Sequence, residues 1–226
     1  MLRAEKISKE FIREMRGTNR FTAVSETDFN ISGGELAVIT GRSGSGKSTF
    51  LNMLAGLLTP TGGKVFFEDT DIYSLSDREL SRLRNQKTGF IPQGQTAIHS
   101  LNVIENILLP CSLYGEYNEA DVKYAYELME RLDILNLENV FPKELSGGEI
   151  RRMSIARALI KKPVIILADE PTGDLDDGNT RTVFEFFRDI SKNGSAVIIV
   201  THETDSEKYA DRVLRMNGGV LSENKE

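Results

Sequence analysis

Gly41-Arg42-Ser43-Gly44-Ser45-Gly46-Lys47-Ser48 decides how the rest of the chain is read. The stretch fits G-x-x-x-x-G-K-[ST], a loop that wraps a nucleotide's phosphates. Gly41, Gly44 and Gly46 let the backbone approach an anion closely. Successive N–H groups and the positive end of the next helix then face the phosphate oxygens. Lys47 adds a point charge for the β- and γ-phosphates, and the Ser48 hydroxyl is placed to ligate Mg²⁺. The flanks agree, because Leu36 to Thr40 reads as an apolar strand and Ser48 to Leu57 as a helix.

Working outward, Met1 to Ile39 alternates as strands do, with a turn at Asn30 to Gly34. Thr59-Pro60-Thr61-Gly62-Gly63 breaks the chain before a strand over Lys64 to Phe67. Ser76-x-x-Glu79 is a capping box that predicts a short helix through Arg84, and Thr88 to Pro92 returns to the sheet. A helical stretch follows from about Gly94 to Lys162. Within it Val103 to Leu113 is helical, with Pro110 kinking or ending it. Asn118 caps the next helix, where Val122, Ala125, Tyr126, Met129 and Leu132 share one face and are expected in the core. Val164 to Leu167 and Ala196 to Val200 are continuous apolar runs, the pattern of strands buried on both faces. The helix between them buries Val183, Phe186, Phe187 and Ile190 and stops at Asn193-Gly194. Arg212 to Leu221 reads as a hairpin turning at Asn217-Gly218-Gly219. Strands alternating with helices predict an α/β fold with a mainly parallel central sheet.

The chain has 226 residues, 39% hydrophobic and 27% charged, the composition of an ordinary globular protein. A net charge of −6 without a long basic run argues against a nucleic-acid partner. No apolar stretch approaches the roughly 20 residues that cross a bilayer, and Met1 to Arg16 lacks a signal-peptide core. A cytoplasmic chain is expected. The lone Cys111, among Leu108, Leu109 and Leu113, reads as a buried apolar thiol, and His99 as a loop residue.

Two further elements carry chemistry. The apolar run from Val164 ends in Ala168-Asp169-Glu170. A carboxylate at such a strand end can hold Mg²⁺, the role read for Asp169, while Glu170 could polarise a water in line with the γ-phosphate. Leu145-Ser146-Gly147-Gly148-Glu149 opens a helix running to about Ile160. Its N–H groups, the Ser146 hydroxyl and two glycines form a second anion site.

Leu145 to Glu149 resembles the signature motif of ATP-binding-cassette (ABC) ATPases, whose common form ends in Gln. The phosphate loop, Gln93 after Gly89-Phe90-Ile91-Pro92, Asp169-Glu170 and His202 after Val200-Thr201 follow in that family's order, and the resemblance runs from about Leu2 to Leu221. It implies a P-loop NTPase fold with an N-terminal antiparallel β-subdomain and an inserted helical subdomain. Residues 1–226 would be one domain, with 1–93 and 163–226 as the core and 94–162 as the insertion. It implies ATP and Mg²⁺ as cofactors, held by Gly41, Arg42, Ser43, Gly44, Ser45, Gly46, Lys47, Ser48 and Thr49. Ser48, Gln93 and Asp169 would serve the metal, and Lys47, Gln93, Glu170 and His202 catalysis. Gln93 resembles the glutamine that senses Mg²⁺ and the attacking water, and His202 the switch histidine that contacts the γ-phosphate. Asp176 resembles the aspartate that bridges two active sites. An aromatic stacks on adenine, with Phe11 the first choice by position and Phe21 the alternative.

In that family the signature of one subunit caps the nucleotide held by another. Ser146, Gly147, Gly148 and Glu149 are therefore expected to meet the phosphate loop of a second copy in an ATP-bound homodimer. Pro171-Thr172-Gly173-x-Leu175-Asp176 and Glu105-Asn106-Ile107-x-Leu109-Pro110 resemble the subgroup containing the macrolide exporter, the lipoprotein-releasing ATPase and the cell-division ATPase. This implies a motor subunit, peripheral on the cytoplasmic face, that drives a separate integral-membrane permease for export or extraction. The alternative is an ATPase that signals mechanically through a membrane partner without moving cargo. A soluble repair or translation ATPase is a third class. The short Gly94–Leu145 segment excludes the coiled-coil repair type, and translation members usually carry two cassettes where this chain has one. Departures from the pattern are Pro92, the segment Gly94 to Ser100, and Ile150-Arg151-Arg152 in place of a Gln-Gln-Arg type.

Overall fold

A computed structural model describes residues 1–14 and 18–223. Strands β1 (Leu2–Glu14) and β2 (Thr18–Ile31) pair antiparallel and lead into β3 (Leu36–Thr40), the phosphate loop and α1 (Lys47–Leu54). Next come β4 (Gly62–Phe67), β5 (Thr70–Asp71), α2 (Asp77–Lys87) and β6 (Thr88–Ile91). Helices α3 (Val103–Ser112), α4 (Glu119–Arg131) and α5 (Gly147–Leu159) precede β7 (Ile165–Asp169). The chain finishes with α6 (Asp177–Lys192), β8 (Ala196–Thr201), β9 (Arg212–Asn217) and β10 (Val220–Glu223). Among the described residues no helix is long and apolar enough to cross a membrane.

Two sheets result. One is antiparallel, in the order β2-β1-β4-β5; the other has six strands in the order β10-β9-β3-β8-β7-β6. The second is parallel throughout except for the β9–β10 hairpin. Its central strands read as unbroken apolar runs because both faces are covered. The period of two sends alternate residues into different cores. Leu36, Val38, Ile166, Ala168, Val197 and Ile199 pack with α3 to α6. Ala37, Ile39, Ile165, Leu167, Ile198 and Val200 face α1 and the antiparallel sheet.

Several local expectations change. Helix α1 stops at Leu54, three residues short of Leu57, because Gly56 turns left-handed (φ +67°). Helix α2 keeps its Ser76–Glu79 capping box but runs on to Lys87, beyond Arg84. Pro110 lies inside the last turn of α3 rather than stopping it, and Ser112 is the final residue. Tyr126 is 39% exposed rather than core, because the buried stripe of α4 centres on Ala125, Leu128, Met129 and Leu132. Helix α6 buries Phe184 as well as Val183, Phe186 and Phe187. Cys111 is buried, and desolvation pushes its thiol pKa up.

Candidate functional site

Four neighbouring parallel strands end at one edge of the sheet. The C-termini of β3, β8, β7 and β6 there deliver the phosphate loop, His202, Asp169-Glu170 and Gln93 in turn. Ligands of open parallel sheets bind outside the carboxyl ends of the strands, and the register of the strands aligns these four segments. A cavity of about 740 Å³ opens there, lined by Arg42 to Gly44, Gly46 to Thr49, Gln93, Glu170 and His202.

The loop's shape depends on its glycines. Gly46 caps α1 at φ +106°, and a Cβ there would run into the Ala23 carbonyl; one on Gly41 would strike the Met216 carbonyl. No side chain caps α1, so its first N–H groups remain for an anion. Lys47 is buried and its Nζ donates to the carbonyls of Gly41 (2.7 Å) and Arg42 (3.1 Å). The ammonium is thereby held over the loop.

Asp169 is 3% exposed. Desolvation raises its pKa, opposed by a hydrogen bond with the Ser48 side chain and by the charges of Lys47 and Arg151. Its Oδ1 is buried without a partner among the described residues. A hard divalent cation suits this arrangement of one carboxylate, one hydroxyl and an incoming phosphate, the donor set on which Mg²⁺ usually relies. Glu170 adopts φ +48°, a conformation non-glycine residues enter only when their surroundings hold them there. Its N–H donates to the Val200 carbonyl at 2.8 Å. Its Oε2 accepts from the His202 N–H (3.4 Å) and lies 3.0 Å from His202 Nδ1. That contact fixes which ring nitrogen faces Glu170 and leaves Nε2 on the far side of the ring. The carboxylate is therefore oriented by a ring that is itself largely exposed.

Phe11 and Phe21 are direct cross-strand partners on β1 and β2, and both line the cavity. The two candidates for the adenine platform thus occupy one place, with the Lys9 ammonium 5.3 Å from the Phe11 ring centroid. Ala23, which sequence reasoning missed, lines the cavity beside them. Ser45 keeps a buried hydroxyl that has no partner among the described residues.

Ser146, Gly147, Gly148 and Glu149 do not line this cavity. Ser146 caps α5, accepting from the Glu149 N–H (3.3 Å), and Glu149 accepts from the Ser146 N–H (2.7 Å) and hydroxyl (2.8 Å). Those bonds hold the Glu149 carboxyl below its usual pKa. A Cβ on Gly148 would sit 3.2 Å from the Asp174 carbonyl, so the helix start packs on the turn that leads to α6. Asp176 caps α6, accepting from the Asn179 N–H (2.9 Å) and side-chain amide (2.7 Å), and also stands outside the cavity. Sequence reasoning also missed the Thr172 hydroxyl donating to Glu203 at 3.0 Å, which pins the turn after Glu170 to the segment carrying His202. Only the adjacency of Glu203 to His202 could have pointed to it.

The ABC transporter family model matches residues 24–173. The chain is 35% identical over 226 residues to the lipoprotein-releasing system ATP-binding protein LolD of Buchnera aphidicola subsp. Schizaphis graminum, covering 100% of this chain and 97% of that protein. Identity to LolD of Aquifex aeolicus is 38% over 221 residues, or 98% and 96% of the two chains. Among solved structures, the ATP-binding cassette MJ0796 in a dimeric post-hydrolysis state bound to ADP and Pi superposes with a TM-score of 0.90, at 31% identity and 100% coverage of both chains. A nucleotide-free cassette of an ABC transporter gives 0.81, at 28% identity, covering 100% of this chain and 91% of that one. The matched span takes in the phosphate loop, Gln93, the Ser146 helix and the Asp169-Glu170 strand end, and the chain therefore belongs to the ABC transporter family as an ATP-binding, ATP-hydrolysing cassette.

Proposed function

We propose that this chain is the ATPase of a lipoprotein-releasing complex, closing as a homodimer on ATP and Mg²⁺ at the cytoplasmic face of a membrane and driving an integral-membrane permease. The observation that carries the dimer is the separation within one chain of the phosphate cavity from the helix start at Ser146. A nucleotide held by one copy needs the signature residues of another. The solved cassette MJ0796 is itself described as dimeric. Full-length similarity to several proteins named for lipoprotein release supports the substrate class.

In this reading Lys47 and the loop amides hold the β- and γ-phosphates, and Phe11 or Phe21 carries the adenine. Ser48, Asp169 and Gln93 hold Mg²⁺, which neutralises phosphate charge when bound. Glu170 takes a proton from the water that attacks the γ-phosphorus, while the bond to the ADP oxygen breaks. His202 fixes the Glu170 carboxylate and faces the γ-phosphate. Ser146, Gly147 and Gly148 of one copy and Asp176 beside them close on the other copy's nucleotide. Residues 94–162 form the subdomain that carries this closure to the permease.

The test is to purify the complex from membranes, reconstitute it with a lipid-anchored protein in vesicles, and measure ATP-dependent transfer of that protein to the soluble fraction. Release that is lost in Glu170→Gln is the expected result. Sustained ATP hydrolysis without release would remove the substrate assignment and favour a purely mechanical signal.

A further inference from the structure

We propose that Arg151 is a positioning residue that ties the Gln93 segment to the turn carrying Asp174, so that both travel with helix α5. The proposal rests on the reading of Gln93 as a residue of the phosphate cavity and adds a link that the motifs do not contain.

Arg151 sits on α5 with only 4% of its side chain exposed. One arm of the guanidinium donates to the Pro92 carbonyl at 2.8 Å, immediately before Gln93. Another reaches Asp174 Oδ2 at 3.5 Å. A buried guanidinium is tolerated only where its donors are met, and here they are met by two segments distant in sequence. The same helix grips the far side of the glutamine segment, since Arg157 donates to the Thr96 carbonyl (2.8 Å) and hydroxyl (2.6 Å). Gln93 is therefore strung between two arginine anchors on one helix, while the strand before it, β6, is bonded into the sheet through β7. Any shift of α5 against the sheet moves Gln93 relative to Lys47 and Glu170.

The other arm gives the link its direction. Asp174 lies against the signature glycines, two residues before the cap of α6, the region that the proposed dimer presents to a second copy. Arg151 thus joins the cavity-facing glutamine to the partner-facing turn through one side chain. The forked guanidinium can serve both acceptors at once, whereas a lysine ammonium on its flexible stem is a single point charge.

Arg151→Lys, Asp174→Asn, the double variant and Gln93→Ala are compared in the full-length chain. Steady-state ATPase, affinity for a fluorescent ATP analogue and melting temperature are read for each. Positioning predicts that Arg151→Lys lowers kcat about fivefold to tenfold while nucleotide affinity stays within about twofold. Asp174→Asn, at a half-exposed site, reproduces part of that fall, and the double variant is no worse than Arg151→Lys alone. A lower melting temperature with unchanged kcat overturns the proposal, as do effects that multiply in the double variant. If Gln93→Ala keeps wild-type kcat, the glutamine assignment and this proposal fall together. If Gln93→Ala loses activity while Arg151→Lys and Asp174→Asn keep it, this proposal alone falls. Should Arg151→Lys not fold, wild-type kcat in Asp174→Asn is sufficient to overturn it.

Discussion

The two functional ends of this molecule are built differently. At the sheet edge, Lys47, Gln93, Glu170 and His202 are delivered by four adjacent strands, and the register of a buried sheet sets their spacing. Buried oxygens there, Asp169 Oδ1 and Ser45 Oγ, have no partner among the described residues. At the starts of α5 and α6, by contrast, the capping side chains are used locally: Ser146 and Glu149 bond each other, and Asp176 bonds Asn179. The first region is a socket with unspent hydrogen-bonding capacity. The second is a surface whose caps are already satisfied, where the first backbone N–H groups of a helix offer capacity of their own. Such a division suits an enzyme whose active site is completed by a second copy.

The substitution with the largest expected effect on the socket is Glu170→Gln. Removing the proposed base while keeping the shape is expected to lower kcat by about a thousandfold and leave ATP binding intact, so that dimer accumulates in sedimentation with ATP. A companion experiment mixes Lys47→Ala chains with Gly148→Asp chains. Each is expected to be inactive alone, yet a mixed dimer contains one undamaged phosphate loop facing one undamaged signature, and ATPase activity is expected to reappear on mixing. Mixtures that stay as inactive as their components would place the whole active site within one chain.

Next in size is a test of whether the two regions share one folding unit. Phe184 is buried on α6, downstream of the Asp176 turn, and stacks on Tyr209 with ring centroids 5.4 Å apart. Phe184→Ala should cost about 3–5 kcal/mol, seen as a lower urea midpoint with an unchanged slope. A second, separate transition would mean that the socket survives without the helices behind it.

The socket was the more legible region, for a physical reason. A phosphate loop needs glycine at fixed places, and a strand buried on both faces must be apolar until it ends, so Gly41 to Ser48 and Val164 to Glu170 announce themselves. Helix starts were also readable, because capping chemistry is local: Ser76 forms the box its spacing predicts and Asn118 caps α4 as expected, while the box at Ser146 is an addition to the anion site read there. Tyr126 was misplaced because a helical stripe fixes a face only to within about one residue, and Leu128 shifts its centre. Arg151 and the Thr172–Glu203 bond were not legible as contacts. They join segments far apart in sequence, and no periodicity encodes which distant carbonyl or carboxylate a side chain will meet.

Lys47→Ala is expected to act through affinity more than through fold. In the proposed role the ammonium contributes charge-assisted bonds to phosphate, each about 1.5–3 kcal/mol, so titration with a fluorescent ATP analogue should show affinity falling roughly tenfold to a hundredfold. Affinity that is unchanged would mean the loop amides alone hold the nucleotide.

The smallest effect concerns a tie between the sheet and α6, away from both ends. Asp211 accepts from the Leu36 N–H (2.9 Å) and from Arg188 (2.5 Å), and the Arg188 bond chiefly holds its carboxyl below the ordinary Asp range. A depressed folded pKa contributes stability above the unfolded value of about 3.9, and that contribution is lost as pH falls through the folded value. Both partners are partly exposed, so the ion pair is worth about 1 kcal/mol or less. Asp211→Asn should therefore lower the urea midpoint slightly at pH 7 and flatten the decline of stability below about pH 4 relative to wild type. Because Leu36 begins β3 and Asp211 precedes β9, the change should leave nucleotide affinity and kcat alone. A fall in either would mean that the register of β3, and with it the placement of the phosphate loop, depends on this outlying carboxylate.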